Sequence, residues 1–253
     1  MDAGRPEAFE RTALLLGNAA LRQLAAARVA VVGLGGVGSY AAEALARCGI
    51  GHLVLVDGDV VVASNLNRQL VALHSTLGQP KVQVMAARVK DIHPGARVDA
   101  VFSRYGPHNR GLFEYGPFDY LVDAIDDVPA KVDLLAQAVW HGIPAVSSMG
   151  AGQRRDPTAW RVADISRTHT CPLARAVRVG LRQKGIERGI KAVFSVEPPA
   201  RGGAGPQKNL GSGFAQSRRP PLGTVPFVTG TAGLLLASVV VQDLLAGGND
   251  AGA

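Results

Sequence analysis

Residues 28–38 read Arg28-Val-Ala-Val-Val-Gly-Leu-Gly-Gly-Val-Gly38, and Val54-Leu-Val-Asp57 follows at the distance of one intervening helix. Apolar run, glycine-rich turn, helix, second apolar run and terminal acid form the layout that seats phosphates on a helix N-terminus and a ribose on a carboxylate. Asp57 stands 24 positions after Gly33, where the ribose contact requires an acid. Backbone that must approach a phosphate closely leaves no room for Cβ atoms, so glycine recurs at 33, 35, 36 and 38. A glycine fingerprint alone is weak evidence. Its neighbours make this one a nucleotide site, without saying which nucleotide.

Outward from this stretch, the first half of the chain alternates as β-α-β units do. The pattern predicts strands at 28–33, 52–57, 97–102, 119–123 and 144–148. It predicts helices at 36–48, 79–92 and 129–141, with a shorter one near 109–115. Strands this uniformly apolar are covered on both faces, so the sheet begins as a parallel one. Beyond Gly152, two further strands at 160–165 and 191–195 flank a basic helix at 172–184 and are expected to extend the sheet antiparallel. The fold class is α/β: a parallel sheet extended by antiparallel strands in a single domain. Its nucleotide-binding half is 25–150, and a basic half for substrate binding and dimerisation is 151–246. Residues 201–221 are basic, aperiodic and rich in Gly, Pro and Ser, and are expected to form a mobile loop.

Hydrophobic residues make up 47% of the 253, with only 5% aromatic, so the core must be packed mainly by aliphatic side chains. The net charge of +7 points to a polyanionic partner, and its placement sharpens the point. Between Arg154 and Lys191, ten basic residues face three acids, Asp156, Asp164 and Glu187. This stretch reads either as a solvated helix face or as a binding surface; its confinement to the second half favours the surface. Two cysteines, Cys48 and Cys171, exclude a disulfide framework or a four-thiolate zinc site and suit a reducing, cytoplasmic setting. The apolar run from Thr12 to Leu21 is broken by Asn18 and reads as a short amphipathic helix, not an export signal. Val225–Val241 is almost uncharged but falls short of the ~20 residues of a membrane span. Its Pro226, Gly230 and Gly233 suit a core or dimer-interface helix, and no membrane partner is expected.

The next informative run is Ser64-Asn-Leu-Asn-Arg-Gln69, followed by Gly78-Gln-Pro-Lys81. A dinucleotide dehydrogenase has no need of this cluster; a nucleotidyl-transfer site does. Attack on an α-phosphate builds negative charge that Arg68, as a planar fork, and Lys81, as a point charge, would stabilise. Lys81 also opens a helix, where an exposed cation is unfavourable, and that mismatch favours a functional role over a merely solvated one.

Together with Gly33–Gly38, Asp57-x-Asp59 and Asp123-Ala-Ile-Asp126, these runs resemble the adenylating domain of ubiquitin-activating-enzyme-like proteins. Within that superfamily the chain is most similar to the tRNA threonylcarbamoyladenosine dehydratase family, nearly end to end. Ala41–Arg47, Ser148–Ala151, Ala163–Ser166, Thr168-His169 and Val193–Glu197 carry that similarity. The resemblance implies a Rossmann-like ATP-binding fold and an ATP-dependent cyclisation of the modified adenosine beside the tRNA anticodon. The threonyl carboxylate is activated and then closes to a hydantoin.

By matching position, the resemblance implies that Gly33, Gly35, Gly36 and Gly38 cradle the phosphates and that Asp57 binds ribose. Asn65, Arg68 and Lys81 would clamp the phosphates. Asp126 would position Mg²⁺ or act on the reacting carboxylate through it. Arg11 matches an arginine that the superfamily supplies to the partner subunit's ATP, implying a homodimer with composite sites. Arg167, His169, Arg175, Arg178 and Arg182 are the tRNA candidates, and a sulfur-relay protein is a further candidate partner.

Several residues keep two readings. Asp59 either joins the nucleotide site or holds the loop after the second strand. His169 either orders the loop before Pro172 or acts as a base. Cys171, where the family pattern has Asp, is either a neutral helix-start replacement or a reactive thiol. Cys48 is expected in the core. Asp127 stands where related adenylyltransferases have Asn. The competing functions are an adenylyltransferase of a ubiquitin-like sulfur-carrier protein and a non-catalytic NAD-binding protein. The first commonly brings Cys-x-x-Cys pairs that this chain lacks; the second leaves Ser64–Gln69 and Lys81 unexplained.

Overall fold

Alternation within the apolar runs decides the layers. In the computed structural model, which describes residues 7–200 and 222–247, strand β1 (Arg28–Val32) sends Val29 and Val31 to one core and Ala30 and Val32 to the other. Strand β2 (His52–Val56) does the same with Leu53 and Leu55 against Val54 and Val56. A strand apolar on both faces must be covered twice, and the helices do so. Helices α3 (Gly38–Arg47), α4 (Lys81–Ile92) and α7 (Pro226–Gly247) cover one face. Helices α5 (Val128–Trp140) and α6 (Pro172–Arg182) cover the other.

With β3 (Arg97–Val101), β4 (Tyr120–Asp123), β5 (Ala145–Ser148), β6 (Trp160–Asp164) and β7 (Lys191–Ser195), the sheet has seven strands in the order β3-β2-β1-β4-β5-β7-β6. Strands β1 to β5 are mutually parallel, in register from Val29↔Leu53 through Val122↔Val146. The extension differs from expectation in one strand. β7 joins β5 in parallel, and only β6 is antiparallel, paired to β7. The reason is the connection: α6 lies on the α5 face and returns the chain to the N-terminal edge, so β7 runs in the direction of β5.

The N-terminal segment is two short helices, α1 (Glu10–Leu16) and α2 (Asn18–Ala26), broken at Gly17 with φ +87. Phe9, just before α1, packs edge-on to His93 at the C-terminal end of α4, 4.9 Å between ring centres. The helix α7 is long and apolar enough to cross a membrane by length and composition. Here it lies on α3 instead: a Cβ on Gly233 would sit 2.4 Å from the Val37 carbonyl oxygen, and one on Gly230 3.0 Å from the Tyr40 ring. The small residues serve close helix approach, as the sequence suggested. Cys48 closes α3 and packs partly against this core; burial pushes its thiol up. The loop expected at 201–221 lies outside the described residues.

Candidate nucleotide site

The C-terminal edge of the parallel strands carries the candidate site, where the helices that follow the neighbouring strands β1 and β4 leave to opposite faces. The four loop glycines have different causes. Gly33 takes φ +90, and a Cβ there would meet the Ala124 carbonyl oxygen at 2.7 Å; on Gly38 it would meet the Gly33 carbonyl at 1.7 Å. Those two are demanded by the fold. Gly36 is tight against Arg68 and Thr229, both at 3.2 Å. At Gly35 only Gln69 comes near, at 3.9 Å, so packing places no demand for glycine there.

Asp57 ends β2 with both oxygens engaged: Leu34 N–H donates to Oδ2 at 2.7 Å and Asp59 N–H to Oδ1 at 2.8 Å. Burial raises this carboxyl's pKa; the nearby Lys81 ammonium offsets only part of that. Lys81 is itself buried, 5% exposed, and donates to Asp59 at 3.0 Å. Asp59 also accepts from Arg104 at 2.6 Å. Burial alone would raise Asp59, but these two cations outweigh it and hold the carboxyl below its usual range. Asp59 thereby ties Lys81, at the start of its helix, to the loop after β2 and to Arg104.

Asn65 is buried in the turn after β2 and accepts from Val62 N–H at 3.3 Å. Arg68 is half-buried and donates to the Ser64 carbonyl at 2.9 Å and to Asn67 at 2.8 Å. Burial lowers its pKa, and the charge of Asp126 works against that. Asp126 is exposed on the turn leaving β4, while Asp127 caps α5 by accepting from Ala130 N–H at 2.9 Å. Contacts link these groups: Arg68 lies against Gly36 and feels the charge of Asp126, while Asp57 joins the glycine loop at Leu34 to Lys81. That assembly fits a polyphosphate with one carboxylate to spare for a divalent ion.

Arg11 does not join them. It is exposed on α1, anchored through Phe9 and His93 at the far end of α4, about 18 Å from that helix's start by its twelve residues. Among the tRNA candidates, Arg167, His169, Arg175 and Arg182 are exposed. Arg178 differs: it is partly buried and donates to the Thr168 carbonyl at 2.7 Å and to its hydroxyl, tying α6 to the preceding loop. His169 meets Thr170 at 2.9 Å and the Phe194 ring edge-on at 5.3 Å, which orders the loop. Cys171 is buried at the start of α6, its sulfur against Gly150, and its side chain makes no cap hydrogen bond.

Sequence reasoning missed one network. Asp123, Lys131 and Ser147 are all fully buried. Lys131 donates to Asp123 at 2.7 Å and to Ser147 at 3.2 Å, and the Ser147 hydroxyl donates to Asp123 at 2.6 Å. The other Asp123 oxygen accepts from Ile125 N–H at 3.1 Å, fixing the turn that presents Asp126. A lone lysine inside the apolar run Val128–Trp140 was the available signal.

Comparison with known proteins agrees with this geometry. The ThiF family matches residues 9–250. The tRNA threonylcarbamoyladenosine dehydratase of Bacillus subtilis is 45% identical over 240 residues, 94% of each chain. The Escherichia coli protein of the same name is 37% identical over 265 residues, 97% of this chain and 96% of its own. The crystal structure of the E. coli tRNA N6-threonylcarbamoyladenosine dehydratase, TcdA, in complex with ATP superimposes with a TM-score of 0.85 at 36% identity, covering 96% of each chain.

Proposed function

This chain belongs to the ThiF family, and from that premise we propose that it uses ATP to dehydrate N6-threonylcarbamoyladenosine in tRNA to the cyclic hydantoin. The observation that carries this reading is near-full-length similarity to proteins of that one activity, joined to a phosphate cradle at the strand ends. The sulfur-carrier alternative has no comparable support.

A carboxylate is a poor electrophile because its leaving group would be oxide. Joining it to the α-phosphate of ATP gives a competent leaving group, with pyrophosphate departing. The glycine loop and α3 N-terminus hold the phosphates, and Arg68 and Lys81 take up the charge that builds in transfer. The Asp57 oxygens keep lone pairs for the ribose hydroxyls. Asn65 holds the turn that carries Arg68. Asp126 would hold Mg²⁺ carried by ATP, which would supply neutralisation of phosphate charge. Ring closure by the side-chain nitrogen is intramolecular, so proximity supplies much of the acceleration, of the ~7–11 kcal/mol open to well-oriented closures. No enzyme nucleophile is required, in keeping with a buried Cys171.

The working unit is a homodimer in which Arg11 serves the partner's site. Arg11, Leu14 and Leu15 share one face of α1 by their i, i+3, i+4 spacing, and the two leucines are 76% and 84% exposed. An apolar face beside a stranded cation suits a subunit contact. Mixing Arg11→Ala with Asp126→Ala protein should restore part of the lost activity, because one hybrid site then holds every group. Verified heterodimers without recovery would contradict donation across the interface. The exposed Arg167, His169, Arg175 and Arg182 form the tRNA surface, with Arg178 supporting it. The setting is cytoplasmic, and a sulfur-relay protein is a candidate further partner.

The function itself is tested by mass spectrometry of nucleosides from modified tRNA incubated with protein and ATP. The reading expects the hypermodified adenosine to lose the mass of one water. An unchanged nucleoside with ATP intact would contradict it.

A further inference from the structure

We propose that Arg154 is the guanidinium that receives the substrate's carboxylate, opposite the phosphate clamp; this rests on the function proposed above. Arg154 is 3% exposed, yet its Nε and Nη1 have no hydrogen-bond partner among the described residues. Other buried cations there are matched, Lys81 by Asp59 and Lys131 by Asp123. Arginine does not shed its proton, so burial without an anion is strongly unfavourable unless an anion arrives.

The position is built. Gln153 is held in the left-handed region at φ +59, donates its N–H to the Gly223 carbonyl at 2.8 Å and accepts from Ala200 N–H at 2.8 Å. On the other side, the Glu197 carboxylate accepts from Arg155 N–H and Asp156 N–H at 3.0 Å. The turn leaves the C-terminal end of β5, the same sheet edge as the glycine loop and Asp126. Residues 223–224 join the two: Gly223 holds Gln153, and the Thr224 carbonyl accepts from Asn67 at 3.1 Å, whose other amide atom accepts from Arg68. Along this seam, Thr224 Oγ1 and Gln69 Oε1 are also buried without partners. The three groups without partners thus belong to segments that these bonds tie to the phosphate clamp. A planar fork matches a carboxylate, and the phosphates already have Arg68 and Lys81.

The test measures binding of tRNA with and without the threonylcarbamoyl group, in the presence of a non-hydrolysable ATP analogue, together with affinity for the analogue. The parent protein should prefer modified tRNA. In Arg154→Gln that preference should fall by about tenfold or more, as for loss of a charge-assisted hydrogen bond, with analogue affinity unchanged. Arg154→Lys, which keeps the charge but loses the fork, should show a partial fall and serves if the glutamine variant does not fold. Retained preference in folded variants overturns the assignment, as does an equal loss of analogue affinity, which would make the anion an ATP phosphate. A parent protein with no preference for modified tRNA would instead overturn the functional reading on which the assignment rests.

Discussion

Arg68→Ala is expected to lower kcat/KM by about 10³-fold or more while leaving the fold intact, the range for removing a preorganised cation from a transferring phosphoryl group. The side chain bonds only to Ser64 and Asn67 within its own turn, so truncation removes no core contact. Because the side chain is half-buried against Gly36, its stability cost should be about 1 kcal/mol, the centre of the range for point mutants. Lys81→Ala should lose activity to a similar degree but also destabilise. Asp59 would keep Arg104, whereas the buried Asp57 would lose its nearest cation. Steady-state kinetics beside urea unfolding separates the two effects. Parent-like turnover by either variant would refute the assigned roles.

Lys131→Met is expected to cost about 3–5 kcal/mol, because it strands a fully buried carboxylate. A domain of this kind has ~5–15 kcal/mol in all, so the urea midpoint should drop sharply. The companion test is Asp123→Asn combined with Lys131→Met. A neutral amide can still accept from Ile125 and meet Ser147, so the double variant should regain most of the loss. Unchanged unfolding of the single variant would mean that Asp123 is not held as a charge by this lysine.

Legibility followed the range of the physics involved. The strands and helices of the first half are local patterns, and β1, β2, α3 and α5 fall within two residues of the pattern's limits. The direction of β7 depends on which face α6 covers, a tertiary choice that strand composition does not encode. Among the glycines, the sequence marked four alike, whereas packing requires Gly33 and Gly38 and makes no demand at Gly35. Arg68, Lys81 and Asp126 were singled out by motif spacing, and the fold sets Arg68 beside the glycine loop and within reach of the charge of Asp126. Lys131 stood out only as a lone lysine in an apolar run, and its meeting with Asp123 across β4 and α5 is tertiary; Arg154 is distinguished only by lacking a partner, which no local pattern marks. Basic composition grouped Arg178 with its exposed neighbours, whereas the fold also ties it to Thr168, a contact that composition does not encode.

Carboxylate activation is tested most directly by following oxygen. When the threonyl carboxylate of the modified tRNA carries a heavy-oxygen label, attack on the α-phosphate followed by ring closure must leave one labelled oxygen on AMP. Labelled AMP, formed in step with the cyclic nucleoside, is the predicted result. Cyclic nucleoside accompanied by unlabelled nucleotide, with the label released as water, would contradict the account.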